Sequence, residues 1–189
     1  MQLRKLLILF LLVVPFGWAL ADDFEDTIKL FRRANESNQF FGRSHGYAVF
    51  PTIGKGGFVV GGAHGKGRVF GREGAYVGDS SMTQVTIGAQ LGGQAYSQII
   101  FFEDKRAFDQ FTSGNFEFGA QATAVAITAG ASAQAGTTGP SASASGTQRH
   151  AKNVGRYYNG MAVFTVAKGG LMYEASIGGQ KFGYSPRKQ

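Results

Sequence analysis

Gly42-Arg43-Ser44-His45-Gly46 fits the G-x-S-x-G spacing of a hydrolase nucleophile. That spacing works because the serine sits on a sharp turn from a strand into a helix. Here the flanks are reversed: the residues before Gly42 read as helix and Tyr47-Ala48-Val49-Phe50 as strand. A helix-terminating loop with a hydroxyl cap is the expectation for Ser44. The stretch Thr52–Gly67, TIGKGGFVVGGAHGKG, holds seven glycines and two lysines and invites comparison with a phosphate-cradling loop. A Walker loop needs G-x-x-x-x-G-K-[ST]. Before Gly65-Lys66 the first required glycine falls on Val60, and Gly67 stands where a hydroxyl should bind magnesium. Before Gly54-Lys55 the required glycine is Val49, so both frames fail.

Metal and acid–base chemistry find no better footing. His45, His64 and His150 are the only histidines, and none pairs with another at helical spacing or sits in an H-E-x-x-H motif. The close acidic pairs, Asp22/Asp23 and Glu103/Asp104, fall at expected helix starts, where carboxylates serve the helix dipole. No catalytic residue, metal site or cofactor is expected. What remains is a set of cations, Lys55, Lys66, Arg68, Arg72 and Lys168, set among glycines. We read Thr52–Gly67 as two tight turns around a buried strand, Phe58-Val59-Val60, with the lysines projecting from the turns. Such lysines either solvate turn tips or meet an anionic partner.

The elements that would hold them follow from periodicity. Residues 22–39 place Phe24, Ile28 and Phe31 at i, i+4, i+7, with Leu30 and Ala34 widening the stripe, so a helix is predicted. Asp22, Asp23, Glu25 and Asp26 fall in its first turn and Arg32 and Arg33 later, as the dipole prefers. From Tyr47 short apolar runs alternate with glycine: YAVF, FVV, RVF, AYV, TQVTIGAQL and AYSQIIFF. Val85, Ile87, Ala89 and Leu91 alternate with period 2, the mark of a half-buried strand. A short helix over 104–113 is predicted, with Asp104 as N-cap, Phe108 and Phe111 inward and Gly114 as its stop. Strand texture returns in FEFGAQATAVAITAG, YNGMAVFTVA, LMYEAS and GQKFGY.

The expected fold is α+β: a twisted, mainly antiparallel sheet or incomplete barrel of about eight to ten short strands, with the two helices packed on it. Phe50, Phe58, Phe101, Phe108 and Phe164 should form the core. Residues 129–156 contain a low-complexity Ala/Ser/Gly segment, expected to be a mobile loop, with a flat hairpin as the alternative. Ala48-Val49-Phe50 before Lys55-Gly56-Gly57 is echoed by Ala162-Val163-Phe164 before Lys168-Gly169-Gly170. Two similar strand–turn–strand units, packed as pseudo-equivalents, would explain the echo.

The N-terminus sets the compartment. Arg4 and Lys5, an apolar run from Leu6 and Ala19-Leu20-Ala21 read as an export signal over residues 1–21, cleaved before Asp22; an uncleaved anchor is the alternative. One domain over 22–189 is expected, exported to a periplasmic or extracellular space. The chain has no cysteine, hence neither disulfide nor thiolate chemistry. Loss of the leader with Arg4 and Lys5 would take the formal net charge from +7 to +5. That excess suits anionic lipid or polysaccharide and is no nucleic-acid signature.

SHGYAVFPTIGKGGFVVGGAHGKGRVF, then TQVTIGAQLGGQAYSQIIFFEDKRAFDQFTSGNFEFGAQATA, then YYNGMAVFTVAKGGLMYEASIGGQKF, together resemble the SYLF domain family, over about Asp26 to Tyr184. The resemblance implies a non-enzymatic lipid-binding module, with phosphoinositide and actin-filament binding in eukaryotic members. The chain departs from those members in carrying a signal sequence and no SH3-like extension. Tyr76-Val77-Gly78-Asp79-Ser80-Ser81 also replaces a Trp- and Pro-containing segment. It is closer to exported bacterial members, for which cytoplasmic actin is an unlikely partner. An anionic phospholipid or membrane surface is the expected partner of Lys55, Lys66, Arg68, Arg72 and Lys168. The acidic residues at 22–26 would be repelled by such a surface. The alternative is an envelope interaction protein acting by self-association or through a protein partner.

Overall fold

Phe24, Ile28, Phe31 and Ala34 recur at helical spacing, and the chain is helical there. The computed structural model describes residues 17–57, 60–87, 94–127, 156–168 and 176–188. Helix α1 (Gly17–Arg33) starts upstream of the predicted boundary, so the acidic residues at 22–26 fall along the helix and not in its first turn. It also stops early. Ala34 takes extended backbone angles, the buried Ser37 hydroxyl donates to the Phe31 carbonyl at 2.6 Å, and a single turn, α2 (Asn35–Asn38), follows. The predicted helix over 22–39 is therefore two helices with a capped break.

The sheet has eight strands: β1 (Gly46–Gly57), β2 (Val60–Phe70), β3 (Tyr76–Ile87), β4 (Gln94–Phe102), β5 (Phe116–Glu117), β6 (Val125–Ile127), β7 (Met161–Lys168) and β8 (Lys181–Pro186). Their order is β5-β8-β3-β2-β1-β4-β7-β6, antiparallel except for the β6–β7 pair. The α+β expectation of a curled, mostly antiparallel sheet holds, although β1 to β3 are longer than the short strands expected. Helix α3 (Lys105–Thr112) forms where predicted: the Asp104 carboxylate accepts the Ala107 amide at 2.8 Å, and Gly114 turns the chain away at a φ of 85°.

Period-2 alternation divides the apolar residues between two faces. Ala48, Phe50, Ile53, Ala63, Met82, Ile100 and Phe182 fill the inner, concave face, where Phe111 of α3 also packs. Val49, Ile99, Phe101 and Phe164 fill the outer face, beneath Phe31 of α1 and Phe40. Phe40 stacks on Phe101 at 5.5 Å and meets Phe164 and Tyr157 at 5.1 Å each. Full burial of Phe31 alone stabilises the docked helix by about 2–3 kcal/mol. Of the expected core aromatics, Phe50, Phe101 and Phe164 are fully buried and Phe108 is half-buried, while Phe58 lies outside the described residues.

The gap between the sheet's two ends is spanned by residues 118–124, which bond to the segment before β8 (Phe118 amide to Gln180 carbonyl, 3.0 Å; Ile177 amide to Ala122 carbonyl, 3.1 Å). The internal echo is real in topology and not in packing. Both copies flank β4, but Ala48 and Val163 share the partner Ile100, an offset of one residue. Ala48 and Phe50 consequently point inward and Ala162 and Phe164 outward, so the two units are not pseudo-equivalent. The low-complexity segment, the expected export signal through residue 16 and most of LMYEAS lie outside the described residues.

Candidate functional site

The glycine-rich stretch is not two turns around a strand. Residues 52–57 continue β1 and residues 60–67 belong to β2, the two paired as one long hairpin. On β2, Ala63, Gly65, Gly67 and Val69 face inward and are buried, while Gly62, His64, Lys66 and Arg68 face outward. The inward glycines are required by close approach: a Cβ on Gly67 would lie 2.5 Å from the Phe50 ring, and one on Gly65 2.6 Å from Ile53 Cγ1. Lysine and glycine alternate because they occupy opposite faces of one strand.

Register then fixes the outer surface. Lys168, Ala95, Gly54, His64, Thr83 and Lys181 form one continuous row across β7, β4, β1, β2, β3 and β8. In the next row Thr52, Lys66, Ser81 and Gly183 are partners, and beyond it Arg68 pairs with Asp79. The middle of these rows, on β1, β2, β3 and β8, floors an open groove of about 770 Å³ lined by Phe24, Thr52, Lys66, Arg68, Asp79 and Tyr184 among others; Lys168 lies outside that lining. Lys168 Nζ donates to Thr52 Oγ1 at 2.7 Å, and Lys66 is the cross-strand partner of the same Thr52.

The charges here are unusual for this molecule. Lys29 pairs with Asp26 at 3.3 Å, Lys105 with Asp109 at 2.6 Å, Arg106 with Asp104 at 3.7 Å and Lys181 with Glu117 at 3.6 Å. Among the described residues no carboxylate lies within ion-pair distance of Lys66 or Lys168. Arg68 is held by aromatic faces instead: its guanidinium sits 4.4 Å from the Phe24 centroid and 5.4 Å from that of Tyr76, tying α1 to the sheet. Arg187 approaches the same Tyr76 ring at 5.4 Å. Desolvation, then the nearby Asp79 carboxylate, push the Tyr76 phenol above its ordinary range.

The five expected cations therefore do not share one face. Lys66, Arg68 and Lys168 do. Lys55 alternates with Gly54 on β1 and falls on the inner side with Ile53. Arg72 lies in a 3₁₀ turn (Arg72–Gly74) past the far end of β2, beside Arg43, His45, Glu73 and Glu103. Sequence reasoning missed Thr52, His64, Asp79 and Lys181, all of which the rows bring to the outer surface. Asp23, placed above among residues that a membrane would repel, lines the groove beside the cations.

The enzyme-like features resolve as structure. Ser44 Oγ donates to the Phe40 carbonyl at 2.7 Å and meets the Tyr157 hydroxyl at 2.8 Å, the expected hydroxyl cap. The His45 ring packs edge-on against Phe108 at 5.5 Å. Among the described residues no group of three or more His, Cys, Asp or Glu side chains could hold a metal ion, and no helix is long and apolar enough to cross a membrane.

Residues 83–185, more than half of the chain, match the family model described as Las17-binding protein actin regulator (Ysc84). The matched segment contains Lys168 and Asp104 but begins after Lys66 and Arg68, so the groove straddles its boundary. The chain is also 28% identical over 155 residues to Beta cell expansion factor A of Aeromonas veronii, an alignment covering 82% of this chain and 51% of that protein. It thus spans about half the length of this curated relative. By the extent of the family match, and by the curled sheet that carries it, the chain belongs to the Ysc84 (SYLF) family.

Proposed function

We propose that this protein is a non-enzymatic module that docks on anionic phospholipid headgroups through the outer face of its sheet, with Lys66, Lys168 and Arg68 as the contacting cations. One observation carries this reading: Lys66 in the open groove and Lys168, which reaches the groove residue Thr52, have no carboxylate partner among the described residues, whereas Lys29, Lys105 and Lys181 lie against acids. The docking elements are strands and not turns, and the strand framework spaces the cations. Each Lys or Arg near an anionic leaflet contributes about 1 kcal/mol, so these three give weak, salt-sensitive association. With residues 1–21 read as an export signal, the membrane met would be that of the cell envelope.

Vesicle co-sedimentation tests this directly. Phosphatidylcholine vesicles with and without phosphatidylglycerol should be compared at low and high salt. Lys66→Glu with Lys168→Glu should weaken binding to anionic vesicles at least about 30-fold, from the loss of two contacts. Lys55→Glu with Arg72→Glu, an equal change in net charge away from the groove, should weaken it far less. Equal losses in the two double variants would reduce the effect to net charge and sink the groove.

A second reading, docking of a protein partner on the same face, is favoured by the family description, which names binding to a protein. It would show as loss of vesicle binding altogether with a partner interface that the same two substitutions disrupt.

A further inference from the structure

The groove carries both signs of charge. Asp79 on β3 and Asp23 on α1 line it together with Lys66 and Arg68. Asp79 is the diagonal neighbour of Lys66, through the Lys66–Ser81 pair, about 7–8 Å away between Cα atoms. A lysine side chain can span that separation. Yet among the described residues neither carboxylate forms an ion pair with Lys66, Lys168 or Arg68. Lys168 is turned to Thr52 and Arg68 to the rings of Phe24 and Tyr76. Lys66 and Arg68 are thus held with Asp79 and Asp23 in one groove without forming an ion pair.

We propose that the groove binds a zwitterion: a phosphate on Lys66, beside the Thr52 hydroxyl to which Lys168 donates, and a primary ammonium on Asp79 and Asp23. The class is the phosphoethanolamine headgroup, borne by a lipid or in solution. It rests on the phosphate contact of the reading above and adds an ammonium contact that an anionic headgroup such as phosphatidylglycerol cannot make. A quaternary ammonium fits less well, because it needs open aromatic faces and cannot donate hydrogen bonds to carboxylates. Arg68 already occupies the faces of Phe24 and Tyr76.

The test is a titration of the purified chain with four soluble probes: phosphoethanolamine, phosphocholine, glycerol 3-phosphate and inorganic phosphate. Amide shifts of Lys66 and Asp79 report binding. Phosphoethanolamine should bind about tenfold more tightly than the other three, the gain expected from charge-assisted hydrogen bonds to the ammonium. Asp79→Asn, at an exposed position, should remove that advantage and leave phosphate binding intact; Asp23→Asn should reduce it. Phosphatidylcholine vesicles doped with phosphatidylethanolamine distinguish the source: co-sedimentation above phosphatidylcholine alone assigns the lipid-borne headgroup. A response to the soluble probe alone keeps the zwitterion site and reassigns it to a free ligand. Equal affinity for phosphoethanolamine and glycerol 3-phosphate, or an equal loss of both in Asp79→Asn, overturns the zwitterion and leaves anion docking standing. If no probe moves Lys66 and no vesicle binds, both readings fall.

Discussion

Two glycines on the same hairpin should respond to alanine with opposite signs. A Cβ on Gly67 would lie 2.5 and 2.6 Å from two carbons of the Phe50 ring and 2.8 Å from the Val49 carbonyl oxygen. Carbon atoms pack best at about 3.5–4.0 Å, so the contact must open by about 1 Å. Neither neighbour can give easily. Phe50 is fully buried with its ring 5.5 Å from that of Phe182, and Val49 is fixed in the ladder opposite Arg68. Overpacking of this kind costs about 1–3 kcal/mol, which for a chain of this size lowers the melting temperature by about 3–10 °C. Gly56 lies one strand away, and a Cβ there meets nothing within 4 Å. Gly56→Ala restricts only the unfolded chain and should stabilise by about 0.4–1 kcal/mol. Urea unfolding followed by circular dichroism measures both, with an unchanged slope as the control for two-state behaviour. A Gly67→Ala variant within about 0.5 kcal/mol of the parent would refute the claim that these glycines serve close packing.

Two further perturbations test the framework that holds the groove. Tyr96 is buried, its hydroxyl accepts from Gln180 at 3.1 Å, and desolvation pushes its phenol up to about 12. A raised folded-state pKa keeps its stability contribution below pH 10 and loses it as pH rises towards 12. The parent should therefore lose about 3 kcal/mol more than Tyr96→Phe across that window, read as a steeper alkaline fall in urea midpoint; parallel curves would refute the burial argument. Asp104→Ala removes the acceptor for the Ala107 amide at the start of α3 and should cost about 1 kcal/mol; a stability unchanged within error would show that the cap is idle.

The fold was largely legible because its strongest signals are local. The Phe24-Ile28-Phe31 stripe, the Asp104 cap and the Gly114 stop each state their structure within one or two turns of chain. The break at Ala34 was not legible in this way. It depends on a buried hydroxyl, that of Ser37, reaching back to the Phe31 carbonyl, and Asn35–Asn38 reads equally well as a continuing helix. The echo of Ala-Val-Phe misled for a related reason. Three apolar residues in a row carry no information about which face is inner, and a one-residue offset against β4 inverts all of them.

The site failed in sequence at one identifiable point. His64, Lys66 and Arg68 recur with period 2 and small residues stand between them, which is the pattern of a strand with a cationic face. Glycine density argued instead for turns, because glycine is ordinarily read through its backbone freedom. Here it serves through its missing side chain: Gly65 and Gly67 let β2 lie against Ile53 and Phe50. Once those residues belong to a strand, alternation separates Lys55 from Lys66, and register brings Lys168 to Thr52 from more than a hundred residues away. No single-sequence pattern encodes that register. It follows from which apolar residues of β4 and β7 must share a core, so the cationic groove on the outside of the sheet is fixed by the packing on both of its faces.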